Sequence, residues 1–158
     1  MTVAVLVSFD PRLQTKIIRV VWIDGECAGP WKTWEGILCL LIKAVSLPVQ
    51  WLNESWTVVG TVPGDEGILV SVRIDPTIKG RAIVIGVPPK PMEMNYVVAV
   101  QLGTLLMRAL AFPDSAYVEE MLIGKLQIHG PEAVHHAAED LCTPLAPIGT
   151  PLTPTSAT

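Results

Sequence analysis

Residues 29–51, GPWKTWEGILCLLIKAVSLPVQW, decide the fold class, because they form the most apolar part of the chain. Their uninterrupted apolar run, ILCLLI, covers only residues 37–42, and Lys43 follows directly. A membrane-spanning helix needs about 20 predominantly apolar residues in succession. We therefore expect a helix inside a folded domain, and we expect no transmembrane span.

The apolar residues of this stretch recur at helical spacing. The stripe that they form consists of Trp34, Ile37, Leu38, Leu41 and Val45. Thr33 is the expected N-cap and Pro48 the expected stop. Leu40 and Ile42 flank the stripe and widen it, so we expect the helix to be buried on more than one side. Its second cover is either another part of the same domain or a neighbouring subunit.

Runs rich in β-branched residues flank this helix and predict strands. The predicted strands are 2–9, 15–24, 55–62, 66–75 and 80–87. Residues 95–111 combine strand and helix preferences, and the Leu/Met/Ala-rich second half favours a helix. A short helix is expected from Asp114 to Leu122, a last strand within 124–130 and a further helix at 131–141.

These elements predict an α+β fold, in which two or three helices pack on a mostly antiparallel sheet of about five strands. The expected order is β-β-α-β-β-β-α-α. A chain of 158 residues has the length of one domain, here residues 1–142. Residues 143–158, TPLAPIGTPLTPTSAT, are expected to form an extended C-terminal arm. No internal repeat is apparent in the sequence.

The composition limits the possible partners. Half of the residues are apolar and 16% are charged, which is a low charged fraction for the surface of a free monomer. Another copy of the chain is the simplest cover for such a surface, and a Val/Ile-rich core is the alternative explanation. The net charge of −4 argues against nucleic acid as the main partner, because phosphate contacts require a basic surplus.

The cysteines and the N-terminus indicate a reducing, intracellular setting. The three cysteines, Cys27, Cys39 and Cys142, are widely spaced and odd in number, unlike a disulfide framework. Cys39 lies in the apolar run and is expected to be buried. The first residues, MTVAVLVSFDPR, have neither the basic lead nor the cleavage site of a signal peptide.

No catalytic motif is present, so we expect a protein that is not an enzyme and assign no catalytic, cofactor-binding or metal-binding residue. One cluster supports the alternative of a small ligand-binding or metal-dependent enzyme domain: His129, Glu132, His135, His136, Glu139, Asp140 and Cys142. His135 and Glu139 are four residues apart, a spacing that also explains simple pairs on a helix surface. The cluster follows no standard zinc spacing.

Two sets of residues are candidates for contacts with partners. Contacts between copies are expected from large apolar residues in and beside the first helix and from prolines of the arm: Trp31, Trp34, Leu40, Ile42, Trp51, Pro144, Pro147 and Pro151. Contacts with an anionic membrane surface or an acidic partner are expected from basic residues on two predicted strands and the following link: Arg73, Lys79, Arg81 and Lys90.

Two strands, a turn, an aromatic residue and a helix that opens at KTWEGILCLLIKAV, residues 32–45, resemble the core of matrix proteins of nonsegmented negative-strand RNA viruses, the rhabdovirus and bornavirus type. The pattern covers residues 2–87, and the size and the Pro-rich arm are also similar. The family's basic N-terminal segment and Pro-Pro-x-Tyr budding motif are absent. The resemblance implies a self-associating protein of the host cytoplasm and the virion, which lines the envelope and contacts other virion proteins.

Two further classes stay open as alternatives. A phage capsid or tail accessory protein belongs to the same structural class as the matrix proteins. A cellular adaptor is the other alternative, because the predicted element order resembles the longin fold of trafficking proteins. A specific partner of another kind, without assembly of the chain with itself, would favour the adaptor.

Overall fold

A computed structural model describes residues 2–23, 25–87, 90–113 and 119–127. Within these ranges the chain forms two four-stranded antiparallel sheets and two long helices. In chain order the elements are β1 (Thr2–Asp10), β2 (Thr15–Trp22), β3 (Gly25–Pro30), α1 (Trp31–Ser46), a 3-10 turn (Val49–Trp51), β4 (Thr57–Val62), β5 (Asp65–Asp75), β6 (Gly80–Gly86), β7 (Met92–Asn95), α2 (Tyr96–Ala111) and β8 (Met121–Gln127). The strand order is β3-β2-β1-β8 in sheet A and β4-β5-β6-β7 in sheet B.

The two halves of the described chain have the same topology. Each consists of three antiparallel strands, a helix and a fourth strand, so that β1–β4 form a first repeat and β5–β8 a second. The helices have the same length of 16 residues, and they begin at Trp31 and Tyr96, which are 65 positions apart. The sequence analysis found no repeat, and the structure corrects it.

The turns after β1 and β5 show the same repeat at the level of single residues. Asp10 and Asp75, 65 positions apart and each followed by proline, accept a hydrogen bond from the backbone N–H two residues further on. Gln14 and Lys79, again 65 apart, both have a positive φ, of 49° and 51°. L-residues other than glycine rarely adopt this conformation. Its occurrence at both positions therefore shows that the two turns are equivalent.

The repeats exchange their last strands. β4 of the first repeat pairs with β5 of the second, and β8 of the second pairs with β1 of the first. Each helix contacts strands of both sheets and the other helix. Buried residues occupy matching positions in the sheets: Val3, Val5, Val7, Ile18 and Val20 in one, and Ile68, Val70, Val72, Ile83 and Ile85 in the other. The two repeats therefore share one core.

The apolar helix of the opening stretch is α1, and its cover comes from the chain itself. Trp34, Ile37 and Leu41 are almost fully buried, and α1 contacts four strands from both sheets as well as α2. Lys32 and Lys43 are exposed on the remaining side. The prediction of a helix buried on more than one side is confirmed.

Two glycines in the helices differ in the space around them. A Cβ on Gly103 of α2 would meet methyl groups of Leu38 and Leu41 at 3.7 and 3.9 Å, whereas a Cβ on Gly36 of α1 would lie 2.9 Å from Cγ1 of Val62. We expect Gly103→Ala to raise the free energy of unfolding by about 0.5–1 kcal/mol, because alanine is favoured over glycine inside a helix. Gly36→Ala should raise the free energy of unfolding less than this, or lower it, because buried Val62 must move. Urea unfolding followed by tryptophan fluorescence measures both; equal stabilisation would contradict this packing.

The number and arrangement of the strands differ from the prediction. The α+β class is confirmed, but the described residues form eight strands in two sheets, where one sheet of about five was expected. Residues 25–30 pair with β2 along their whole length, and residues 92–95 pair with β6. GECAGP has no apolar alternation and MEMN alternates over only four residues, so pairing with the neighbouring strand specifies both segments.

The helix starts also differ in one case. α1 has Pro30 at its N-cap, not Thr33. α2, whose start the sequence leaves open, begins at Tyr96, and the side chain of its N-cap Asn95 accepts a hydrogen bond from the backbone N–H of Val98 at 3.0 Å. Neither of these helices is both long and apolar enough to cross a membrane.

The C-terminal predictions are tested only in part. Met121 and Leu122 belong to β8 and not to the short helix predicted from Asp114. The strand predicted within 124–130 is confirmed as far as residue 127. The helix at 131–141 and the arm at 143–158 lie outside the described residues.

Candidate interaction surface

The two sheets have the same number of strands, but their edge strands differ in chemistry. β3 and β7 are edge strands that lead directly into helices, and each carries an exposed glutamate, Glu26 and Glu93. β4, TVVGTV, has no charged residue, and β8, MLIGKLQ, has only Lys125. Charged residues on an edge strand discourage pairing with a further chain, whereas an uncharged apolar edge favours it. β4 and β8 are therefore the candidate contact edges.

Exposed apolar side chains concentrate on these two strands and just before β4. The large apolar side chains with the greatest exposure on or beside the two strands are Trp51 (69%), Val58 (58%), Leu122 (47%), Trp56 (42%) and Met121 (41%). Leu13 and Ile23, near the ends of β2, are exposed as well. Single exposed apolar residues are ordinary, but three of these, Trp51, Trp56 and Val58, lie within eight positions of the chain.

A β-bulge lies at the same place in both edges. The register shifts after Val58 in β4 and after Leu122 in β8. Gly60 and Gly124 follow the bulges, and a Cβ there would lie 2.7 and 2.6 Å from a leucine of α1 and of α2, respectively. Both strands therefore keep a glycine where a helix leucine packs, and Val58 and Leu122 occupy equivalent positions in the two repeats.

Trp56 stacks on Arg73 at the beginning of β4. The guanidinium carbon lies 4.9 Å from the centre of the ring, a distance typical of cation–π contacts. The backbone N–H of Ile74 donates to the carbonyl of Asn53 at 2.8 Å, which holds the segment before β4 along β5. Arg73 also lies 3.8 Å from the carboxylate of Asp75, and its buried Nε has no hydrogen-bond partner among the described residues.

Charged residues of β5 lie near both ends of β4. Arg73 lies under Trp56 at the beginning of the strand, and exposed Asp65 and Glu66 follow the turn at its end. We call the exposed side chains of this strand and of the segment before it, together with the half-buried Arg73 of β5 under Trp56, the β4 surface: Trp51, Trp56, Val58, Thr61 and Arg73. It is apolar in the middle, the Arg73–Asp75 pair lies at one end, and an acidic turn adjoins the other end.

The β8 edge has charged groups beside its apolar residues. On the outer face of sheet A, Arg19 donates to Glu26 at 2.7 Å and to Glu120, the residue before β8, at 2.8 Å. These hydrogen bonds, the one to Glu120 first, raise the pKa of Arg19. The two ion pairs of Arg19 are partly exposed and add little to the free energy of unfolding. Its charges, with Lys125, make β8 a less apolar edge than β4.

The structure separates the residues that were expected to contact another copy. Trp34 and Leu40 are only 2% and 8% exposed, because the sheets and α2 cover them, so they are not available to a second chain. Trp31 and Ile42 are half-buried and pack against the core. Trp51 is exposed and belongs to the β4 surface. The remaining predicted residues lie outside the described part of the chain: Pro144, Pro147 and Pro151.

The four basic residues that were expected to form one stripe do not share a face. Lys79 and Lys90 are exposed, and Arg73 is half-buried on the outer face of sheet B. Arg81 is 2% exposed on the inner face, and its guanidinium donates to the carbonyl of Ala44 at 2.7 Å. Side chains of neighbouring strand positions alternate between the faces, so the predicted stripe could not include both arginines.

The first repeat has a matching buried cation that the sequence analysis missed. Lys16, 65 positions before Arg81, is 5% exposed, and its Nζ donates to the carbonyls of Leu110 and Phe112 at 2.6 and 2.7 Å. Each repeat thus places a basic side chain at the C-terminal end of the other repeat's helix, where carbonyls need donors. The signal was present: Asp-Pro is followed at the same spacing by Lys16 and by Arg81.

The cysteines of the described chain show no activated nucleophile. Cys39 is exposed on α1, not buried as expected, because it lies on the solvent side of the helix. Burial raises the pKa of the half-buried Cys27 thiol, so it stays protonated at neutral pH. Within the described ranges no three potential metal ligands come together. The predicted histidine cluster lies outside these ranges.

Comparisons with known proteins identify no relative. No protein-family model matches the chain, and no match is found among the curated proteins or the solved structures. A function can therefore be argued only from the geometry of the chain itself.

Proposed function

We propose that this chain is a non-enzymatic structural protein that associates with itself. The observation that carries the proposal is the β4 surface, in which an uncharged edge strand exposes Val58 directly after the exposed Trp56. Proteins protect edge strands with charge, proline, bulges or a covering segment, and β4 has a bulge but neither charge nor proline. A second copy of the chain buries the same groups and explains why they are exposed in one copy.

A structural protein must contact more than one neighbour to build anything larger than a pair. β8 supplies a second exposed edge, with Met121 and Leu122, in the other sheet. The two edges lie in equivalent positions of the two repeats. A chain with two separate contact edges can extend into rings or sheets, depending on the rotation between neighbours.

The setting that suits such a protein is a virion. A matrix-like role, the lining of an envelope or coat, is what the sequence resemblance suggests, with the host cytoplasm as the place of synthesis and assembly. Its partners would be its own copies, other virion proteins and an anionic membrane surface. Lys79 and Lys90, which are exposed, are the basic residues left for membrane contact. A phage capsid or tail accessory role requires the same assembly property.

Light scattering across a range of protein and salt concentrations tests the proposal. We expect the molar mass to rise above that of one chain with increasing protein concentration, and negative-stain microscopy to show regular assemblies. Salt should weaken this association little, because apolar contacts are not screened. The same measurement on a chain without residues 143–158 separates contacts of the described residues from those of the predicted arm. A monomer under every condition would contradict the proposal.

A further inference from the structure

We propose that two copies of this chain pair by exchanging repeats, so that the first repeat of each copy completes its core with the second repeat of the other. The partner is a second copy, and the interface is the one that joins the two repeats within one chain. The inference names a way of self-association and in this respect rests on the proposed function, but it uses contacts inside the fold and not the β4 surface.

The two repeats of one chain are held together as two subunits are. β4 pairs with β5 and β8 with β1, so each sheet consists of three strands of one repeat and one strand of the other. The helices α1 and α2 contact each other, and Lys16 and Arg81 each donate to a carbonyl at the end of the other repeat's helix. A second copy offers the same strands, helix and donors, so exchange preserves these contacts.

The turn between β4 and β5 is the part of the chain that must change in such an exchange. The chain passes from the first repeat to the second through Pro63 and Gly64, which are both exposed. When this turn opens, β4 and β5 of one copy form one extended strand, and each half pairs with its counterpart in the other copy. Proline and the residue before it favour extended backbone, so the sequence suits the open form.

The same turn suits a closed hairpin poorly. Gly64 has a φ of 84° and follows a proline, whose ring fixes φ at about −65°. These values are typical of a type II turn, whereas two-residue hairpins prefer types I′ and II′, whose twist matches that of the strands. A short connection with such a mismatch favours exchange between copies.

The strand pairing beside this turn is irregular as well. Val62 pairs with Asp65, but Thr61 pairs with Leu69, so residues 66–68 of β5 lie between two successive pairs. In a regular hairpin, successive pairs advance by one residue on each strand. The end of the hairpin that must open therefore has little regular pairing to lose.

The turns inside the repeats are held better. The pairing of β1 with β2 continues without a shift to Asp10 and Thr15, and that of β5 with β6 continues to Asp75 and Gly80. In both turns the aspartate side chain also accepts a backbone hydrogen bond at 2.9 Å. The connection between the repeats therefore opens more easily than these two turns do.

An exchanged pair differs from a pair formed by a surface in how it dissociates. Each of its two bodies contains the shared core, which must unfold before the copies can separate. An exchanged pair should therefore persist after dilution, whereas a surface contact re-equilibrates quickly. Both β4 surfaces stay exposed in the exchanged pair, so it can associate further as proposed above.

A disulfide between the repeats distinguishes the two kinds of pair. Ala4 of β1 and Lys125 of β8 are opposite each other, and neither is buried. Ala4→Cys/Lys125→Cys, with Cys27, Cys39 and Cys142 replaced by alanine, brings two thiols to a separation that a disulfide can span. Oxidation then links a closed monomer to itself, but it links two chains in an exchanged pair.

Ala4→Cys/Val21→Cys is the matched control, because these opposite residues of β1 and β2 both belong to the first repeat. Each variant is unfolded in urea and refolded at high protein concentration. The dimer fraction is isolated by gel filtration, oxidised and examined by denaturing electrophoresis without reductant. We expect linked pairs of chains from Ala4→Cys/Lys125→Cys and single chains from the control.

Pro63→Asn tests the role of the turn. Asparagine before Gly64 favours the type I′ turn that suits a two-residue hairpin, so the closed monomer is stabilised. We expect the association constant of the exchanged pair to fall about 10-fold, because each pair opens two such turns. Pro76→Asn makes the same change in a turn inside the second repeat, and it should refold to the same dimer fraction as the wild type.

The outcomes separate this inference from the proposed function. Self-linked chains alone in the dimer fraction of Ala4→Cys/Lys125→Cys would overturn the exchange and leave association through a surface in place. A dimer fraction that Pro63→Asn does not lower would also count against exchange through this turn. Exchanged pairs that never associate further would support the inference and contradict the proposed assembly. A wild type that stays monomeric at every concentration would overturn both.

Discussion

Replacement of Arg81 by methionine should lower the free energy of unfolding by about 1–3 kcal/mol. The guanidinium is buried, donates to the carbonyl of Ala44 at 2.7 Å and lies 5.8 Å from the ring of Tyr96. Methionine occupies much of the same volume but donates no hydrogen bond, so the carbonyl at the end of α1 loses a donor. Lys16→Met should have a similar effect at the end of α2, where the carbonyls of Leu110 and Phe112 both lose the donor that Lys16 provides.

Lys79→Met is the control for these variants. Lys79 is exposed, and substitutions at such positions change stability by about 0.5 kcal/mol or less. Urea unfolding, followed by tryptophan fluorescence and by circular dichroism, compares the three. If Arg81→Met and Lys79→Met are equally stable, the buried arginine does not hold the end of α1 and its assigned role is wrong.

Leu41→Ala and Leu106→Ala should each lower the free energy of unfolding by about 3 kcal/mol, through lost burial and the cavity that remains. The two leucines occupy equivalent positions of α1 and α2, 65 residues apart, and are 2% and 0% exposed. Leu13→Ala, at a position that is 69% exposed, is the control and should have little effect.

The shape of these unfolding curves tests the strand exchange. Because each repeat contributes its last strand to the other repeat's sheet, neither repeat can open alone. Both variants should therefore unfold in a single transition that fluorescence and circular dichroism report at the same urea concentration. Two separate transitions in Leu41→Ala would show that the repeats unfold independently and would contradict a shared core.

Local sequence patterns predicted the long elements and not their arrangement. The period of apolar residues identified α1, the helix-favouring residues of 105–110 identified the second half of α2, and the β-branched runs identified the strands that form most of the sheets. β3 escaped detection because GECAGP has no strand pattern of its own, and β7 because MEMN alternates over only four residues directly after a proline-rich link. The division into two sheets depends on contacts between distant residues, such as those of β1 with β8.

The repeat escaped detection for a similar reason. Most matching positions share only apolar character, as Ile37 and Leu102 do, and this is common to any core. The Asp-Pro turns and the basic residue that follows each of them were the specific signal. This signal can be interpreted as a repeat only once Lys16 and Arg81 are known to be buried at the ends of helices.

The residues predicted to contact another copy differ in their exposure. Sequence patterning singled out Trp51, which is exposed, but also Trp34 and Leu40, which the chain itself covers. An apolar stripe shows that a residue will be buried and does not show which element buries it. Val58 was overlooked because a valine in a strand gives no sign of whether its strand is an edge.

Hydrogen exchange at low and high protein concentration tests the central claim, self-association through β4, most directly. If two copies pair through this strand, the amides of residues 57–62 that point away from β5 become protected as concentration rises, while those of β3 and β7 do not change. Exchange of residues 57–62 that is the same at both concentrations, in a sample whose molar mass rises, would contradict pairing through β4.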